Sequence, residues 1–136
     1  MAERPTDIPR GAAAPGYPRA PGHRIAFVPR HVRVRVAAGG TELASTTDVV
    51  ALEESGYPTR HYLARDGVDM ARLEKTGKTT FCPFKGLATY YVIHGPDGDI
   101  RDAAWSYEQP YREAELVRDR LAFDAGAVEE AVGSSS

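Results

Sequence analysis

The run Cys82-Pro83-Phe84-Lys85-Gly86 carries the two side chains best suited to covalent or ionic chemistry. Cys82 is the only thiol in the sequence. A cysteine becomes a nucleophile where a nearby cation or a helix terminus favours its thiolate. Lys85, three residues on across a tight Pro-Gly corner, can bring an ammonium close to it. The competing reading is a buried cysteine acting as a small hydrophobe beside Phe81 and Phe84. Lys85 has two readings of its own. Projecting from a sheet end into a cleft, it would bind an anion or, once desolvated, serve as a base. Otherwise it is solvated, or pairs with Glu54 to hold the corner. If the chain is an enzyme, Cys82 and Lys85 are its candidate catalytic residues.

Aromatic weight near predicted strand ends is the second chemical feature: Trp105, Tyr107, Tyr62, Tyr90 and Tyr57. Aromatic walls suit a ligand pocket, although aromatics at strand spacing also build ordinary cores. Trp105 leads the pocket candidates because its predicted strand stops just after it. Metal chemistry finds no support. His23, His31, His61 and His94 form no HxH or HxxxH pair, and one cysteine excludes an internal disulfide, a Cys-only zinc site and a CxxC redox pair. Ser45 or Ser106 with His61 has no Gly-x-Ser-x-Gly elbow behind it. Gly39-Gly40 is a turn rather than a phosphate loop, since no Gly-x-x-x-x-Gly-Lys follows.

The elements that must position these residues come from a chain of 136 residues with 42% hydrophobic and 26% charged content and a net charge of -2. That balance predicts one soluble domain, expected in the cytoplasm, and no apolar run approaches the ~20 residues of a membrane span. Charge is placed unevenly: residues 1–35 sum to +5 and the rest to -7. A basic arm can contact nucleic acid, but this one has no clustered Lys/Arg run, so nucleic acid is disfavoured as a partner. Six of the ten prolines fall in the first thirty residues. They predict an extended or disordered arm over 1–26, a single domain over 27–130 and a flexible tail over 131–136.

Within the domain, His31 to Val36 alternates as a half-buried strand, turns at Ala38 to Thr41 and returns over Thr41 to Ser45. Thr46 to Glu54 leans to strand, His61 to Ala64 reads as strand, and Asp66 to Leu73 as about one helical turn. Thr79 to Cys82 and Leu87 to His94 are strands around a Pro83–Gly86 corner. Gly95-Pro96-Asp97-Gly98-Asp99 predicts a hairpin leading into Ile100 to Trp105. Arg112 to Arg120 favours helix, with Pro110 near its start. Contiguous hairpins without a βαβ rhythm argue against a parallel nucleotide-binding sheet.

Several of these segments together are specific. Leu43-Ala44-Ser45, Glu54-Ser55-Gly56-Tyr57-Pro58, Tyr62 to Val68, Cys82-Pro83-Phe84-Lys85-Gly86, Ala103-Ala104-Trp105-Ser106-Tyr107 and Leu121-Ala122-Phe123 occur in the order and spacing of one pattern. On them the chain resembles the bacterial domain-of-unknown-function 427 family, sometimes labelled nucleotidyltransferase-like, over roughly residues 30–125. Ala64, Gly67 and Asp124 depart from that pattern. The resemblance implies a mainly β fold, the β-tent, in which two antiparallel sheets are pinned at one edge and open at the other, with one or two short helices. Cereblon's ligand-binding domain and the yippee proteins are similar in architecture and hold zinc on Cys pairs that this chain lacks. No paired-carboxylate motif for two metal ions accompanies the nucleotidyltransferase label.

The expectation is therefore a small-molecule-binding domain without metal or cofactor. Trp105, Tyr62 and Tyr107 would form the wall, with Lys85 and Glu54 or Ser45 as polar anchors. The rival readings are a thiol-dependent redox or antioxidant protein using Cys82, and an interaction protein that pairs as a homodimer.

Overall fold

In the computed structural model, residues 5–133 are described. Among these described residues ten strands form three antiparallel sheets. β1 (Ile25–Arg30), β4 (Val49–Glu54) and β5 (Arg60–Leu63) make the first, in the order β1-β4-β5. β2 (Arg33–Ala38), β3 (Thr41–Thr46) and β10 (Glu129–Gly133) make the second, in the order β10-β2-β3. β6 (Leu73–Cys82), β7 (Gly86–Gly95), β8 (Gly98–Pro110) and β9 (Ala122–Phe123) make the third, in chain order. One short helix, α1 (Gly16–Arg19), and 3₁₀ turns at Arg65–Gly67, Met70–Arg72 and Arg112–Val117 complete the set.

The mainly β, antiparallel expectation holds, with the hydrogen bonding divided into three sheets rather than two. The division falls between β3 and β4, where the Asp48 amide bonds back to Thr46 Oγ1 and kinks the chain. Reciprocal bonds between Leu63 and Leu121 then stitch the first sheet to the segment entering β9.

Alternation explains β2, where Val34 and Val36 are fully buried while Arg35 is exposed. Gly39 and Gly40 both hold positive φ, the conformation a two-residue hairpin turn needs. β4 is different: Val49 to Leu52 are all buried, because a central strand covered on both faces loses its polar alternation. One core cluster joins Val34, Val36, Leu43, Leu63, Ile93 and Phe123; a second gathers Val50, Leu52, Tyr62, Ala88, Tyr107 and Ala122.

Four segments depart from the sequence reading. The proline-rich stretch expected as a loose arm packs as a strap over the third sheet, with Ile8 and Ala14 buried against Leu87 and Tyr111. Prolines remove donors, yet the amides that remain find partners: Ile8 on Gln109 Oε1 (2.7 Å), Ala14 on Glu113 Oε1 (2.9 Å) and Gly16 on the Pro83 carbonyl (2.9 Å). Pro18 sits in the first turn of α1, where an amide would have no helical partner anyway. Of the expected tail, residues 131–133 belong to β10, paired with β2, and 134–136 lie outside the described residues.

The third departure is β8, which runs on past Trp105 to Pro110. The fourth is the expected helix over 112–120. It is a kinked 3₁₀ turn over Arg112–Val117, non-helical at Ala114, because Ala114 and Val117 must both be buried while the chain turns back toward β9.

Candidate functional site

Three pairs of residues, each two apart on a strand, point the same way. They are Leu52 and Glu54 on β4, Arg60 and Tyr62 on β5, and Trp105 and Tyr107 on β8. Period-two geometry puts both members of each pair on one face. Those faces meet between the first and third sheets, around a cavity of about 310 Å³. Tyr90, paired across β7–β8 with Trp105, adds to the wall, and Tyr57, Pro58, Cys82 and Lys85 close it.

The aromatic rings are fixed by one another. Trp105 Nε1 donates to Tyr62 Oη at 3.2 Å. Tyr62 and Tyr107 lie 6.2 Å apart and Tyr90 and Trp105 6.0 Å apart, centroid to centroid, both pairs tilted. The Arg60 guanidinium sits over Trp105, 4.8 Å from the ring centre, and donates to the Phe123 carbonyl at 2.9 Å. Burial pushes the Tyr62 and Tyr107 hydroxyls well above their ordinary range, at Tyr62 against the opposing effects of Trp105 and Arg60. Both phenols therefore stay protonated near neutrality and act as hydrogen-bonding groups, not as bases.

One end of the cavity is ionic. Lys85 Nζ is 3.0 Å from Glu54 Oε1, and Glu54 Oε2 is 2.7 Å from His23 Nε2 on the strap. Lys85 also faces the Tyr107 ring at 5.8 Å. Only 14% of the Lys85 side chain and 12% of the Glu54 side chain are exposed, so the pair is not a solvated one. The corner that aims Lys85 depends on Gly86, whose φ of +126° suits glycine alone. A Cβ there would stand 2.4 Å from the Gln109 carbonyl oxygen.

Five of the six expected binding residues (Trp105, Tyr62, Tyr107, Lys85 and Glu54) thus line one cavity, and Cys82 lines it with them. Ser45 does not join them. It accepts from Arg33 Nη1 and lines a separate surface hollow with Asp66 and Asp69. Phe84 meets Tyr17 edge-on and lies tilted against His23 of the strap, Phe81 packs on Tyr111, and Cys82 itself is half-buried. An open groove of about 600 Å³ lies on the other side of Glu54, between the strap and β1–β4. We place the site in the smaller cavity because it is the more enclosed of these two and carries the aromatic wall.

Sequence reasoning missed Arg60 and His23. Arg60 carried a usable signal, since it lies two residues before Tyr62 and directly ahead of the strand expected over His61 to Ala64, which begins one residue earlier at Arg60. His23 carried none, because the proline-rich segment has no periodicity from which to read a facing. Among the described residues no group of three His, Cys, Asp or Glu side chains could hold a metal ion. No helix there is long and apolar enough to cross a membrane.

Fold and cavity together define a small antiparallel β domain built around an aromatic, charge-ended cavity. The family model described as "Domain of unknown function (DUF427)" matches residues 25–134, and the chain belongs to that family. No curated protein matches it.

Proposed function

We propose that the protein binds a small molecule between Trp105, Tyr62 and Tyr107, with Lys85 and Glu54 as polar anchors at one end. The observation that carries this reading is the convergence of three strand-alternation pairs from two sheets on unfilled space. Aromatic cores that serve packing alone close to crystal-like density. Here about 310 Å³ stays open and is bordered by Arg60, Glu54 and Lys85, the arrangement of an apolar wall with a few polar anchors.

Trp105 is the sole tryptophan, so its indole N–H resonance and emission report on the cavity alone. A fragment library read by that resonance and by thermal shift should yield aromatic ligands that move both signals. Trp105→Ala should abolish their binding, and Lys85→Met should weaken it about tenfold, a loss of ~1.4 kcal/mol. A library in which every binder leaves Trp105 undisturbed would overturn the proposal.

The thiol reading keeps one observation in its favour, that Cys82 lines this cavity. Against it, the Lys85 ammonium is engaged by Glu54. Alkylation of native Cys82, with Cys82→Ser as control, separates the two. A ligand that slows alkylation without itself reacting supports binding, and a stable adduct with a small disulfide supports thiol chemistry.

A further inference from the structure

We propose that the cavity selects a small planar anion, a carboxylate on one or two rings, with the carboxylate held by Arg60; this rests on the cavity being a ligand site. The charges on the lining argue it first. Lys85 and Glu54 neutralise each other at 3.0 Å, and the second oxygen of Glu54 is taken by His23. Arg60 is left over. Among the described residues its partners are one neutral carbonyl, Phe123 O, and the face of Trp105. Arg65, Arg118 and Arg120, by contrast, each meet a carboxylate, on Glu108, Glu115 and Asp48. A guanidinium carries five N–H donors in a planar fork that matches a carboxylate. Arg60 therefore brings an unneutralised charge and spare donors to the cavity.

The rings argue the same way. A cationic ligand needs free aromatic faces, but Trp105 already faces Arg60 at 4.8 Å, Tyr90 faces Lys78 at 4.8 Å and Tyr107 faces Lys85 at 5.8 Å. A further cation would meet like charge on three sides. The hydrogen-bonding inventory agrees. Tyr62 Oη accepts from Trp105 and keeps its own O–H to give, while the one carboxylate on the lining is already doubly engaged. The lining thus offers phenol O–H groups and a guanidinium that meets no carboxylate among the described residues, while its one carboxylate is already held by Lys85 and His23. At about 310 Å³ the cavity sits at the small end of ligand sites, which suits one or two rings rather than a nucleotide.

Three probes of one shape decide it: naphthoate, naphthamide and naphthylmethylammonium, titrated by calorimetry while the Trp105 indole resonance is followed. Naphthoate should bind at least tenfold tighter than naphthamide, with the ammonium compound weakest. Arg60→Gln, which can still donate to Phe123 O, should erase the preference for the carboxylate. Arg60→Lys should retain part of it, and the dispersed Trp105 resonance checks that each variant is folded. Equal binding of amide and carboxylate, or an Arg60→Gln protein that keeps the preference, would overturn the assignment. Displacement of Trp105 by the neutral or cationic probe alone would overturn it too, while leaving the cavity a ligand site. Silence from all three would overturn both.

Discussion

At Glu108 one carboxylate collects three donors: Lys75 Nζ at 2.8 Å, Arg65 Nη2 at 2.7 Å and the Tyr91 hydroxyl. Burial alone would raise its pKa, but these hydrogen bonds win and hold it down to about 2. Its contribution to stability is complete above the ordinary carboxylate value and is lost as pH falls through the folded value. Glu108→Gln should cost about 1–3 kcal/mol at neutral pH, since the Arg65 guanidinium loses its counter-ion. Between pH 5 and 2 the wild type should lose more stability than the variant, so the two curves converge. Urea unfolding across that range checks it, and parallel curves would count against the assignment.

None of this cluster was legible in the sequence, because Arg65, Tyr91 and Glu108 come together only through the sheet. The cavity was legible in large part, because aromatics at strand spacing declare a shared face. Ser45, the alternative anchor to Glu54, lies away from the cavity. It sits between buried Ala44 and Thr46 and pairs with exposed Arg35, so the register of β2 and β3 turns it away from the core.

At the scale of elements, the corner between β6 and β7 determines where Cys82 and Lys85 stand. It closes through Gly86, packed against the end of β8 near Gln109 and Pro110. Gly86→Ala should destabilise by roughly 1–3 kcal/mol, from overpacking and from strain at positive φ. It should also move the Trp105 resonance, as β8 shifts away from the corner. A Gly86→Ala protein as stable as wild type in urea would contradict the close packing. β2 was readable from its alternation, β3 from the glycine turn that returns the chain beside it, and β7 from its β-branched and aromatic residues. The far half of β8 was not. Ser106 and Glu108 look like loop residues, yet Ser106 is fully buried with its hydroxyl on Arg65. Arg112 to Arg120 misled in the opposite sense, with good helix formers overridden by a required reversal of the chain.

The whole molecule includes more than the span shared with the family. The match begins at residue 25, while Ile8, Ala14, Tyr17 and His23 of the strap pack on or bond to that span. Deleting residues 1–22 should cost about 2 kcal/mol or more, roughly the burial of one large aliphatic side chain with its hydrogen bonds. It should also expose Leu87 and Tyr111, read as increased binding of a hydrophobic dye. Chemical denaturation of the shortened and full chains tests this, and equal midpoints would mean the strap contributes no stability.

The register of the second sheet has a further consequence, in time rather than in energy. Ala37 pairs with Glu129 and Val34 with Val132, so β2 cannot gain its neighbour β10 until nearly all of the described chain has been made. During synthesis the β2–β3 hairpin waits with one strand edge open, and an open edge is a template for pairing with another chain. Sheets closed by such distant segments fold in milliseconds to seconds rather than microseconds. Crowded nascent chains of this protein would thus be most exposed to misassembly at β2, the strand whose valines are the most deeply buried once folding is done.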